Sequence, residues 1–202
     1  MRLLLASLLL ALLAACGPHL EPPGPAIATP VLHDDAVIAA DGYRLPLRQW
    51  LPEGEPRIIV LGLHGFGDYS KAFDKAALIW REKGVATFAY DQRGFGATAT
   101  ARRWAGVDAM IDDLAAVQAL VRQKYPRTKF VLMGESMGSA LVMAGLAQGR
   151  VPYPDATVLL GPAARGRETL GAVGRGGLSA IAFAIPWWPV STAGMNYSPS
   201  DN

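Results

Sequence analysis

From residue 36 to residue 160 the chain alternates short apolar runs with longer segments that are apolar on one side only. Residues 36–40 and 43–51, separated by Asp41-Gly42, predict two strands around a tight turn. Residues 57–63 form a continuous apolar run, the kind buried on both faces of a parallel sheet. Residues 85–90, 129–133 and 156–160 predict three more strands. Between them, Phe73, Ala76, Ala77 and Trp80 share one face of a helix that Ser70 would cap and Gly84 would end. Met110, Leu114, Val117 and Val121 line a second helix over residues 107–125, with Asp112, Asp113 and Arg122 off the stripe, until Pro126 stops it. A third, almost wholly apolar, covers residues 139–147. Strands alternating with helices imply a mostly parallel sheet with right-handed crossovers and helices on both faces, and the first strand pair adds an antiparallel edge.

Composition narrows the class. The chain has 202 residues, 51% hydrophobic and 18% charged, enough apolar material for one α/β domain with a small appendage. The formal charge is only +2 and no basic stretch is dense, which excludes a nucleic-acid partner. The amino terminus reads as targeting sequence. Met1-Arg2 is a short positive end, and residues 3–15 are apolar apart from Ser7, too short to span a membrane comfortably but suited to a signal-peptide core. Leu13-Ala14-Ala15-Cys16 resembles a bacterial lipobox, in which the cysteine becomes the first mature residue and carries lipid. Cys16 is the only cysteine, so no internal disulfide forms, and lipidation accounts for the single thiol. The expected organisation is a lipoprotein signal peptide over 1–15, a proline-rich tether over 16–32, a core over 33–162 and the start of a cap over 163–202. The expected location is the bacterial cell envelope, anchored to a membrane through Cys16 and facing the periplasm or exterior.

Three loops after predicted strands carry candidate chemistry. Gly134-Glu135-Ser136-Met137-Gly138 sits between a strand and a helix, the setting of a nucleophile elbow. There a serine at the apex of a sharp turn exposes its hydroxyl, and the flanking glycines Gly134 and Gly138 avoid collision with the turn and the sheet. The helix amides point at developing negative charge. An acyl-transfer site needs two main-chain donors for the oxyanion: one from the residue after the nucleophile, Met137, and one from the loop after the first buried strand. That loop is His64-Gly65-Phe66-Gly67-Asp68, and the Phe66 amide is the candidate. His64 lies inside the loop and before the nucleophile, so it reads as a structural imidazole and not as the base. Asp91-Gln92-Arg93-Gly94-Phe95-Gly96 reads as a strand-end turn held by a local aspartate and arginine. A rival reading takes residues 65–70 as an approximate dinucleotide fingerprint with Asp91 as the ribose acid. Ser70 replaces its third glycine, and it leaves Ser136 unexplained.

In this order and setting, the three motifs resemble those of α/β-hydrolases, most closely the monoacylglycerol lipase and lysophospholipase group. The likeness covers roughly residues 41–162, and the tail resembles the beginning of that group's cap. It implies an α/β-hydrolase fold with Ser136 as nucleophile, the Phe66 and Met137 amides as oxyanion donors, and hydrolysis of acyl-lipid esters through an acyl-enzyme. No metal or organic cofactor is implied. The chain departs from the pattern after Ser136, where an acid and then a histidine should follow. Only Asp155, Glu168 and Asp201 are acidic there, and no histidine occurs. The expectation is therefore a fold incomplete at the carboxyl terminus, lacking the triad acid and base and inactive as this stretch alone. Two rival functions share the fold: a non-catalytic lipid-binding lipoprotein, and an acyltransferase. Oligomeric state has no signal in the sequence.

Overall fold

The computed structural model describes residues 21–164 and 171–184. Residues 21–163 belong to one compact unit built on a seven-stranded sheet. Its strands are β1 (Val31–Leu32), β2 (Ala36–Ile38), β3 (Arg44–Trp50), β4 (Ile58–Leu63), β5 (Val85–Tyr90), β6 (Lys129–Glu135) and β7 (Ala156–Leu160), in the order β1-β2-β3-β5-β4-β6-β7. The first three are antiparallel to their neighbours, and β5, β4, β6 and β7 run parallel. The helices are α1 (Asp74–Arg81), preceded by a 3-10 turn at Ser70–Phe73, α2 (Val107–Lys124) and α3 (Met137–Ala147). A further helix, α4 (Ala172–Ala184), falls in a separate unit and is described by itself: it is mostly small and apolar, with Val173 and Ile181 exposed.

Alternation along the parallel strands divides the core between two faces. Ile59, Leu61, Leu63, Phe88, Tyr90, Phe130 and Leu132 share one buried cluster with Met110, Ile111, Leu114, Val117 and Val121 of α2 and with Leu141 and Val142 of α3. On the other face Ala89 and Trp50 pack with Phe73 and Ala77 at α1, a much smaller cluster. Each large side chain buried this way contributes about 1.5–3 kcal/mol relative to exposure. The stripe expected for α2 is buried throughout. All five residues of β7 are exposed, and among the described residues β7 pairs only with β6.

Several local expectations are corrected. Val31 and Leu32, assigned to the tether, form β1 and pair with Ile38 and Val37, because the β2 edge offers unmatched amides and carbonyls. The tether also follows the core further upstream: the Glu21 amide donates to the Trp104 carbonyl at 2.9 Å and the Ile27 amide to that of Ala40 at 2.7 Å. Ser70 does not cap α1 with its side chain; its own amide is bound by a carboxylate oxygen of Asp91 at 2.9 Å. Asp113 faces inward and is only 4% exposed, because a buried arginine meets it there. Cys16, Glu168 and Asp201 lie outside the described residues, as does most of the expected cap.

Candidate active site

The carboxyl ends of β4, β5 and β6 bring the three motif loops to one rim of the sheet. Ser136 separates β6 from α3 at φ 47°, ψ −108°, a positive φ that L-residues with side chains rarely adopt. Holding such a residue costs of order 1–3 kcal/mol and requires the surroundings to over-determine it. They do. The Ser136 amide donates to the Leu160 carbonyl at 2.8 Å, and its own carbonyl accepts from the amides of Ala140 and Ala163, each at 3.1 Å. Ser139, fully buried, donates its hydroxyl to the Gly134 carbonyl at 2.6 Å and reaches the Leu160 carbonyl at 3.1 Å. The strained turn is thus tied on both sides to the end of β7.

Serine ahead of a helix ordinarily caps it through its hydroxyl. Here the Ser136 side chain makes no capping bond, and Met137 opens α3, where the first amides have no partner within the helix. The flanking glycines are required by space. A Cβ on Gly134 would stand 2.5 Å from the Ser139 nitrogen, and one on Gly138 would stand 2.2 Å from the Leu63 carbonyl oxygen. So close a seat of α3 on β4 and β6 allows no side chain.

The glycine loop lies against this turn: a Cβ on Gly65 would be 3.5 Å from that of Ser136. Phe66 is 66% exposed and meets Phe95 edge to face at 5.3 Å between centroids. His64 is fully buried, with Nδ1 2.8 Å from the Gly65 carbonyl and Nε2 accepting from the Gln92 amide at 3.0 Å. Burial holds its pKa below the ordinary 6.5, although the Gly65 bond and the nearby Asp91 and Asp68 act the other way. Both ring nitrogens are engaged away from Ser136, so His64 is a structural imidazole.

Asp91 is also committed internally. Its two carboxylate oxygens accept from the Ser70 amide at 2.9 Å and the Ala97 amide at 2.8 Å, and the residue is 3% exposed. That leaves nothing for a ribose, and the dinucleotide reading fails here. The expected local partnership of Asp91 with Arg93 is not formed either: Arg93 turns away, to Asp41 and Asp113. A cavity of about 550 Å³ opens on the same rim beside Arg48, Tyr69, Ser70 and Asp91, two strands away from the Ser136 loop. Asp155 sits at the opposite edge of the sheet, where it accepts from the Phe130 amide at 2.8 Å and pairs with Arg122 at 3.0 Å. Among the described residues no group of three or more His, Cys, Asp or Glu could hold a metal ion. Gln92, Ser139, Asp41 and Asp113 carry much of the local geometry: Gln92 and Asp41 stand in turns the sequence marks, but the partners of all four follow only from the fold.

A serine held in strained backbone between a parallel strand and a helix, beside a glycine loop, on a mostly parallel sheet, defines an α/β-hydrolase. Residues 54–202 match the family described as serine aminopeptidase, S33 (Hydrolase_4), and the chain belongs to it. The chain is 28% identical over 127 residues to a monoglyceride lipase of Rattus norvegicus, covering 62% of this chain and 42% of that protein. Over 133 residues it is 26% identical to a monoacylglycerol lipase of Mycolicibacterium smegmatis, covering 65% and 47%. It therefore spans less than half the length of these curated relatives. Among solved structures it is similar to a thermostable carboxyl esterase from Bacillus coagulans, with TM-score 0.52 and 27% identity over 58% of this chain and 39% of that one. An open-form lipase at 22% identity, covering 80% of this chain and 54% of its own, shares the fold with TM-score 0.62.

Proposed function

We propose that the protein is a serine esterase that cleaves acyl-lipid esters, with monoacylglycerols or lysophospholipids as substrates. The observation that carries this reading is Ser136 itself, in a backbone conformation of positive φ, with a hydroxyl not spent on capping its helix. The names of the relatives, monoglyceride and monoacylglycerol lipases, support the substrate class. In this reading Ser136 Oγ bonds to the ester carbonyl carbon as its proton passes to a base. The Phe66 and Met137 amides hold the oxyanion. The bond to the glycerol oxygen then breaks, that oxygen takes the proton, and an acyl-serine remains. Water releases the fatty acid and restores the hydroxyl. By resemblance, the base would be a histidine oriented by an acid.

The family description supplies a second reading, cleavage of a peptide amide by the same serine. Labelling the full-length protein with a fluorophosphonate tests the nucleophile: Ser136 is modified, and Ser136→Ala abolishes modification. Undiminished labelling of Ser136→Ala refutes the assignment. Fatty acid release from monoolein and lysophosphatidylcholine, against release of nitroaniline from aminoacyl anilides, separates lipase from peptidase. Acyl transfer to an added alcohol, measured in the same assay, separates hydrolase from transferase. Anchoring through Cys16 in the bacterial envelope completes the proposal, and Cys16→Ser should move the protein from the membrane fraction to the soluble one.

A further inference from the structure

We propose that Gln92 and His64 act together as positioning residues, Gln92 selecting the imidazole tautomer that locks the Gly65–Phe66 peptide. The inference rests on the reading of the Phe66 amide as an oxyanion donor. It begins with what each atom can do. The Gln92 main-chain N–H only donates, so His64 Nε2, 3.0 Å away, must accept. The Gly65 carbonyl only accepts, so Nδ1, 2.8 Å from it, must carry the proton. One species satisfies both bonds: the neutral ring protonated on Nδ1. The other tautomer, and the imidazolium, would each set an N–H against the Gln92 N–H.

The consequence reaches the site through the peptide plane. The Gly65 carbonyl and the Phe66 N–H belong to the same planar trans unit and point in opposite directions. Fixing the oxygen from one side therefore aims the hydrogen to the other. The Asp68 amide bonds the same carbonyl at 3.3 Å and supports that orientation. Gln92 also holds the preceding peptide, because its side-chain Nε2 donates to the His64 carbonyl at 2.7 Å. Two successive carbonyls of the glycine loop are thus fixed, one by Gln92 directly and one through the ring.

Gln92 is itself firmly placed. Its neighbour Asp91 binds two loop amides, and its other neighbour Arg93 is held by two carboxylates. Phe95 meets the His64 ring edge to face at 5.6 Å. Gln92 is 1% exposed, and among the described residues its Oε1 is buried without a hydrogen-bond partner.

The test uses full-length protein, p-nitrophenyl butyrate and a fluorophosphonate. His64→Leu removes the Nδ1 donor, His64→Asn restores a donor near the same place, and Gln92→Met removes only the side-chain clamp. Loss of one oxyanion donor lowers kcat by about 10²–10³-fold. A misaimed donor should lower it by about ten- to a hundredfold in His64→Leu at nearly constant KM, with the fluorophosphonate rate falling in parallel. His64→Asn should recover most of the loss, and Gln92→Met should show a smaller fall of the same kind. Imidazole ¹⁵N shifts of the unmodified protein should report Nδ1 protonated and Nε2 unprotonated. An Nε2-protonated ring overturns the proposal. So does kcat within twofold of wild type in a folded His64→Leu that still labels at Ser136. Failure of the unmodified protein to label at Ser136 instead sinks the underlying esterase reading, and this inference with it.

Discussion

Both carboxylate oxygens of Asp113 meet Arg93, Oδ2 at 2.9 Å from Nε and Oδ1 at 2.9 Å from Nη2. The other side of the same guanidinium is taken by Asp41, at 2.7 Å from Nη1 and 3.2 Å from Nη2, and the Tyr43 ring covers it at 4.1 Å. Side chains of the three ionised residues are 4–7% exposed. One cation thus joins the β5 loop, the helix α2 and the Asp41-Gly42 turn ahead of β3.

Removing that cation leaves two carboxylates buried without compensation. Breaking a buried pair from one side typically costs about 3–5 kcal/mol, so Arg93→Leu should lower the urea midpoint by that equivalent. Arg93→Lys keeps the charge but cannot bind two carboxylates with a planar fork, and should fall in between. A midpoint for Arg93→Leu equal to that of the unmodified protein would show that water reaches these carboxylates.

The two acids should respond to pH with opposite sign. Burial alone would raise Asp41, but Arg93 and the Tyr43 and Gly24 amides hold it below its ordinary 3.8. Its contribution to stability is therefore complete above 3.8 and is lost as pH falls through the lower folded value. Burial raises Asp113, and Arg93 only partly offsets this. Its contribution is present below 3.8 and is lost as pH rises through the higher folded value. Unfolding free energies measured from pH 6 to pH 2 should therefore fall less on acidification in Asp41→Asn than in the unmodified protein, and more in Asp113→Asn.

How much of this was readable beforehand depended on whether a feature is local. The strand at residues 58–63, the α2 stripe and the serine turn follow from periodicity and from glycine spacing, which act over a few residues. The roles of Asp113 and Arg93 do not. Asp113 stands at helical spacing from Met110 and Val117, on the flank of the apolar stripe, but a carboxylate there argues for solvent. Only the arrival of Arg93 from a loop 20 residues away makes its burial tolerable. Gln92 stands in the turn after β5, but its role follows only from its contact with His64, 28 residues upstream. Val31 and Leu32 were too short a run to register as a strand until β2 was in place to receive them.

Space at the elbow gives a sharper test than sequence pattern. The Cβ of Gly138→Ala would lie 2.2 Å from the Leu63 carbonyl oxygen and 2.8 Å from that of His64, both main-chain atoms with little room to yield. Helix α3 must lift from the end of β4. Overpacking costs about 1–3 kcal/mol where side chains can shift, and main-chain neighbours place this variant at or above the upper end. Fluorophosphonate labelling should fall at least about tenfold, because the same displacement moves the Met137 amide. A variant with unchanged melting temperature and labelling would show that the close seat of α3 does not matter.

The strain at Ser136 predicts a stability change that runs against intuition. Replacing a residue by glycine in ordinary structure loses stability, because glycine has more freedom to give up in the unfolded chain. At φ 47°, however, any side chain opposes the backbone, and glycine alone adopts positive φ without penalty. Ser136→Ala keeps the conflict and loses only the hydroxyl, while Ser136→Gly removes it. The glycine variant should therefore unfold at higher urea than the alanine variant, by about 1 kcal/mol after its entropic loss is set against the strain relieved. Both should be inert to the fluorophosphonate. Should Ser136→Ala prove the more stable of the two, the bend costs the folded chain little, and the positive φ of residue 136 would need another cause than the ties from Leu160 and Ala163.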